Sequence, residues 1–241
     1  MSSLDSRFLY VGDCYGHRFT QAGAIPYQLS RSPLPAGEPG AREPAQTIVV
    51  AETSGGSPEA QAGAGASSGG SPEAQAGAQP GVRQHNVSVR EVDGALQAEP
   101  AQLQIAIGDA VLWVPDKTVR TGFCVRASDG ETFDSSCLRK NSLYTHAFAR
   151  AGHYRWHDAH GSALQGEVLA RMPEPASAAR GDWLRALSQG TVVHIGDERA
   201  TPTVVEILVG QTVAWAVERA PGVSVTDVTL LGAGYAATGG S

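Results

Sequence analysis

The sequence has no apolar run approaching the roughly 20 residues that cross a bilayer as a helix, and Met1 to Tyr10 carry neither the basic nor the apolar region of a secretory leader. A cytoplasmic protein without membrane insertion is expected. It also lacks a basic face. Eighteen Lys and Arg stand against 24 Asp and Glu for a net charge of -6, and the arginines are scattered rather than interleaved with aromatics, so nucleic acid is not expected as a partner. The three cysteines, Cys14, Cys124 and Cys137, are too few and too irregularly spaced for a disulfide framework or a CxxC metal site. They read as free thiols, with a Cys124–Cys137 bridge as the alternative.

Catalytic signatures are missing as well. No nucleophile stands with an orienting base, no glycine-rich loop opens a helix to cradle phosphate, and no carboxylate pair is flanked by apolar residues. The chain therefore reads as non-enzymatic, with no catalytic residues and no cofactor. Asn86, Val87 and Ser88 spell a glycosylation acceptor, which carries no weight without an export signal.

What is present begins with a low-complexity stretch from Thr53 to Gly81, in which Ser-Gly-Gly-Ser-Pro-Glu-Ala-Gln-Ala-Gly-Ala occurs twice, from Ser54 and from Ser68. Such a composition buries little apolar surface and predicts a flexible tether. Elsewhere the apolar pattern is that of strands: Leu103, Ile105, Ile107, Val111 and Trp113 form one run, with a turn signal at Gly108 and Asp109, and Val204 to Val217 forms another. A short helix is expected at Asp182 to Leu187, capped by Asp182. The predicted class is all-β.

The chain is also internally repeated. Pro100, Ile105, Gly108, Val111 and Trp113 match Pro202, Ile207, Gly210, Val213 and Trp215 without a gap. A second gapless match aligns Asp5, Ser6, Leu9, Tyr15, His17, Phe19 and Gly23 with Asp134, Ser135, Leu138, Tyr144, His146, Phe148 and Gly152. The middle of the chain thus holds a front half followed by a back half, the N-terminal end a back half, and the C-terminal end a front half. Half a sandwich leaves open strand edges and an uncovered apolar face, so the ends must complete each other or find partners.

The order of features in the middle region, from Gly108 through Trp113 to Tyr144, His146, Phe148, Gly152, Tyr154, Trp156 and Gly166 to Val168, resembles the cupredoxin family. The resemblance implies an all-β fold of two cupredoxin-like Greek-key β-sandwiches, one continuous and one assembled from the N- and C-terminal segments. The expected division is residues 1–52 as a back half, 53–82 as linker, 83–172 as the continuous domain, 173–190 as connector and 191–241 as a front half. Copper proteins of this family need two imidazoles and a thiolate, often with an axial thioether. Here the first imidazole's region reads Thr121 to Cys124, Asp158 stands at the thiolate's place and Leu164 at the thioether's. In the terminal unit the corresponding regions, Val223 to Val225 and Gln28 to Arg31, offer no sulfur or imidazole ligand.

No metal is therefore expected, with His157, Asp158 and His160 as the alternative ligand set, since His and carboxylate side chains two or three residues apart can share a loop. His17 and His146 are expected to face outward from alternating strands, and Trp113 and Trp215 to lie in the core. The functional expectation is a structural or adaptor subunit, a scaffold that binds protein partners in a larger complex, including self-association by strand or domain complementation. The alternatives are a metal-binding electron-transfer protein with a remodelled His/Asp site and a fragment of a longer repeat protein.

Overall fold

The structure, a computed structural model, describes residues 4–33, 46–52, 83–173 and 189–232. The expected linker 53–82 and the expected helix at 182–187 lie outside the described residues. The described part is all-β, with no α-helix and a single 3-10 turn at Val228–Leu230.

The first half of the chain supplies β1 (Asp13–Arg18), β2 (Gly23–Ser30), β3 (Gln46–Ala51), β4 (Gln84–Val92), β5 (Ala95–Glu99), β6 (Gln102–Ala106), β7 (Ala110–Pro115) and β8 (Cys124–Ala127). The second half repeats that series as β9 (Ser142–Ala147), β10 (Gly152–His157), β11 (Gln165–Arg171), β12 (Thr191–Ile195), β13 (Ala200–Thr201), β14 (Val204–Leu208), β15 (Thr212–Val217) and β16 (Thr226–Asp227). Alternation drives these elements, as in β9, where Ser142, Tyr144 and His146 are buried and the residues between them are half-buried. The turns follow local chemistry. Asp93 and Gly94, both at positive φ, close the β4–β5 hairpin as such a dipeptide favours. Gly108 and Gly210 take the left-handed conformation at the β6–β7 and β14–β15 turns and donate to the carbonyls of Phe19 and Phe148 respectively.

Three sheets result. An eight-stranded sheet runs β13-β12-β15-β9-β1-β7-β4-β5, and two four-stranded sheets run β6-β3-β2-β8 and β14-β11-β10-β16. One small sheet packs through Tyr27 on Trp113, ring centroids 5.5 Å apart, and the other through Trp156 on Trp215 at 6.3 Å. Both tryptophans of the large sheet are fully buried, as their place at the end of apolar strands predicts. Burying side chains of this size is worth roughly 1.5–3 kcal/mol each, which sets the scale of the cores.

The pairing corrects the expected division of the chain. β6 pairs β3 in parallel and β7 pairs β1, so the front half from the middle of the chain completes the N-terminal back half. Likewise β14 pairs β11 and β15 pairs β9, joining the C-terminal front half to the middle back half. Residues 83–172 do not form one continuous unit, and the strand Val204–Leu208 shares no sheet with Ile48 or Tyr27. Each half of the chain is instead one unit, its back half preceding its front half. Loop length could not have decided between the arrangements, because closure cost grows only slowly with length. Packing decides it.

Two short segments cross between the units. Leu9 exchanges both backbone hydrogen bonds with Phe123 of its own unit, while Ser6 donates its amide to Val225 of the second unit and accepts from the Val225 amide through Oγ. The repeat copy is reciprocal: Leu138 exchanges bonds with Val223 of its own unit, and Ser135 binds Val125 of the first in the same two ways. Phe133, at the start of that segment, enters the first unit's core, 4.9 Å from Trp113 and 5.8 Å from Phe19. Of the expected pairing between the chain's ends, the described residues show the contact of Leu4, Asp5 and Ser6 with Val225, Thr226 and Asp227.

Candidate functional site

The central seam of the large sheet is the β1–β9 pairing, where Asp13 lies opposite His146, Tyr15 opposite Tyr144 and His17 opposite Ser142. Residues two apart on a strand share a face, so Tyr15, His17 and Phe19 line one interior, and Tyr144, His146 and Phe148 the other. Both histidines are buried, His17 at 6% exposure and His146 at 3%, which corrects the expectation that they face outward. A tyrosine and a phenylalanine on the same face carry them inside, while the intervening residues on β9, Leu143 and Thr145, stay half-buried on the other face.

The two histidines differ in their partners. His146 Nδ1 lies 2.6 Å from Asp13 Oδ1, and Asp13 Oδ2 accepts from the Tyr10 amide at 2.8 Å. Burial raises the Asp13 carboxyl above its ordinary value, while the bond to His146 opposes that rise. His17 faces Ser142 instead, and Ser142 Oγ is bound to the Tyr15 hydroxyl at 3.2 Å. His17 Nδ1 is left buried without a hydrogen-bond partner, and burial lowers the imidazole to about 4.

The Asp13–His146 pair was not readable in the sequence. Its members are 133 positions apart, and only the seam between β1 and β9 brings them together.

The loop after β10 holds the alternative metal ligands. Asp158 is 1% exposed and its oxygens are already engaged: Oδ1 accepts from the amides of Ser224 at 2.8 Å and His160 at 3.0 Å, and Oδ2 from that of Ser162 at 3.0 Å. Burial pushes this carboxyl up, but the three amide bonds outweigh it and hold it below the usual carboxylate range. The Ser224 hydroxyl accepts from the Ala159 amide at 2.7 Å and closes the knot.

His160 points elsewhere, with Nε2 3.0 Å from the carbonyl of Ser136. Its hydrogen bond with Cys137, aided by that carbonyl and opposed by burial, raises the imidazole to about 9. A protonated imidazole has no lone pair for a metal. His157 is the last residue of β10, paired with Gln165 and Thr226, and successive side chains on a strand alternate faces. The structure thus brings Asp158 to Ser224 and His160 to Ser136, not the three to one point. Among the described residues no three His, Cys, Asp or Glu side chains group so as to hold a metal ion.

All three cysteines are free, so the Cys124–Cys137 bridge is not formed. Cys124 is buried with Sγ donating to the Arg7 carbonyl at 2.9 Å, and burial pushes its thiol up to about 12. A thiol held protonated in this way is a poor nucleophile. Compared with protein-family models, curated proteins and solved structures, the chain has no match. No helix among the described residues is long and apolar enough to cross a membrane.

Proposed function

We infer that this protein is a non-catalytic structural or adaptor subunit that binds protein partners through two copper-free, cupredoxin-like Greek-key sandwiches. The observation that carries the reading is the eight-stranded sheet shared by both units and tied across by the reciprocal segments at Ser6 and Ser135. Two units fused in this way present a fixed geometry, as a scaffold requires, whereas independent domains on a tether would not. At the place the family resemblance gives to a copper thiolate, Asp158 binds backbone amides and Ser224, which is the use of a loop-closing residue rather than of a ligand.

Protein partners would be met at the strand edges. β5 and β13 end the large sheet, and an edge strand offers unpaired backbone groups to an added strand. Beside β5, two clefts of about 530 and 410 Å³ meet at Arg31 and Gly94, where Arg31 is paired with Glu91 at 2.9 Å. Because each half already finds its complement within one chain, association between chains does not require exchange of halves.

The test is isolation of the native protein at moderate salt, with light scattering for its mass, cross-linking for its contacts and elemental analysis for metal. A defined complex whose cross-links map to the strand edges supports the reading. A lone monomer carrying stoichiometric copper with an intense visible band would overturn it.

A further inference from the structure

The repeat makes each unit a control for the other, and one place differs in a way that packing alone does not explain. In the second unit the β9–β10 hairpin is filled: a Cβ built on Gly152 would meet the Tyr154 ring at 3.2 Å, and that ring packs edge-on against Phe148 with centroids 4.9 Å apart. The Tyr154 hydroxyl donates to the Arg150 carbonyl at 3.0 Å. The counterpart of Tyr154 in the first unit is Ile25, and nothing lies within 4 Å of a Cβ built on Gly23.

The missing ring leaves a cleft of about 340 Å³ with His17, Phe19, Gly23, Ile25, Lys140 and Asn141 in its walls. That size lies within the range of small-molecule sites, roughly 300–1,000 Å³. Charge distinguishes it further. Lys140 stands where the repeat places Val11, and Asn141 where it places Gly12, so the emptied seat has gained a cation and an amide at its rim. Phe19 and Ile25 supply the apolar part of the wall, and His17, whose burial keeps it neutral, stands with Thr20, Gln21 and Thr132 in the polar part.

We propose that this cleft is a binding site for a small aromatic carboxylic acid, whose ring takes the seat that Tyr154 fills in the second unit and whose carboxylate meets Lys140. The aromatic class follows from the seat, which the same fold packs with a phenol ring against the equivalent phenylalanine. The acid follows from Lys140 and Asn141, since an ammonium and an amide N–H both donate to a carboxylate. The site does not depend on the adaptor reading, because it faces neither β5 nor β13.

The experiment is a titration of the full chain with benzoate and 4-hydroxybenzoate, read by amide chemical shifts, with phenol, benzylamine and hexanoate as comparisons. Both aromatic acids should give saturable shifts concentrated at Phe19, Gly23, Ile25 and Lys140. Phenol should bind more weakly, and Lys140→Ala should weaken benzoate by about tenfold, a difference of 1.4 kcal/mol, while leaving phenol unchanged. Ile25→Tyr copies the second unit's solution and should abolish binding. If that variant does not fold, Tyr154→Ile should open a second seat and add shifts at Gly152. Absence of saturable shifts, hexanoate or benzylamine binding as well as benzoate, or a folded Ile25→Tyr that still binds would each overturn the proposal.

Discussion

Tyr15 stands directly opposite Tyr144 across the β1–β9 seam, and the two are also counterparts in the sequence repeat. A residue that pairs with its own counterpart marks a local two-fold axis, here running through the middle of the eight-stranded sheet. Each tyrosine stacks on its own unit's tryptophan, Tyr15 on Trp113 at 5.5 Å and Tyr144 on Trp215 at 5.6 Å. The symmetry breaks one step away. Asp13 meets His146 on one side of the axis, and Ser142 meets His17 on the other. That asymmetry gives the seam a polar bond on one side and an unpartnered imidazole on the other.

The first prediction concerns that bond. Removing one partner of a buried hydrogen bond costs about 1–3 kcal/mol, because the other polar group is left unsatisfied away from water. Asp13→Ala should therefore destabilise by that amount, and Asp13→Ala with His146→Phe should cost less than the sum of the single changes. Urea unfolding of the four proteins gives the coupling, expected at about 1–3 kcal/mol. Additive effects would mean that the 2.6 Å contact contributes nothing to the seam.

A second prediction follows from His17. Its folded value is lowered to about 4 from an ordinary 6.5, so the unfolded chain takes up the proton first as pH falls. The group's contribution to stability is present above pH 6.5 and is lost progressively between about 6.5 and 4. The loss is on the order of 3 kcal/mol, since each pH unit separating the folded and unfolded values is worth about 1.36 kcal/mol. His17→Phe should flatten that part of the stability-against-pH curve. An unchanged slope in the variant would show that His17 is not held neutral.

For the loop after β10, Asp158→Ala should cost at least about 2 kcal/mol, since three amides lose their acceptor in a site that is nearly closed to water. Asp158's lowered value means that its contribution is present above the unfolded carboxylate value and is lost as pH falls from there through the lower folded value. Acid titration of wild type and variant should converge at low pH. A variant as stable as wild type at pH 7 would show that the amides find water instead.

Much of this fold was legible in the sequence, and the part that was not has a definite physical reason. Strand positions, the glycine turns at Gly108 and Gly210, and the burial of Trp113 and Trp215 follow from alternation and local backbone chemistry. The repeat itself was also legible. Which back half joins which front half was not, because both copies carry the same apolar pattern and either pairing covers the same faces. The choice rests on contacts that no local pattern encodes: Phe133 entering the first unit's core, Tyr27 fitting Trp113, and Trp156 fitting Trp215. The candidate site had the same limit. Asp158 was visible as a substitute for a thiolate, but its use in tying Ser224 to the loop required knowing that the C-terminal front half closes that unit.

The fourth prediction tests that pairing directly. Deleting the C-terminal front half, residues 189–241, removes β14 from its place beside β11 and β15 from its place beside β9. It exposes Trp156 and Val168, which are buried in the second unit, and it leaves β6 on β3 and β7 on β1. The truncated chain should lose amide protection at Trp156 and Val168 and keep it at Tyr27, Ile48 and Trp113, read residue by residue by hydrogen exchange. The lost burial, several side chains at roughly 1.5–3 kcal/mol each, exceeds what the remaining β9–β11 segment could replace by itself. Its contact with β1 should nonetheless leave β9 more protected than β10 and β11, because Tyr144 keeps its place opposite Tyr15. The opposite pattern, with protection lost at Tyr27 and Ile48 and kept at Trp156, would mean that the chain's two ends form one unit and the pairing described here is wrong.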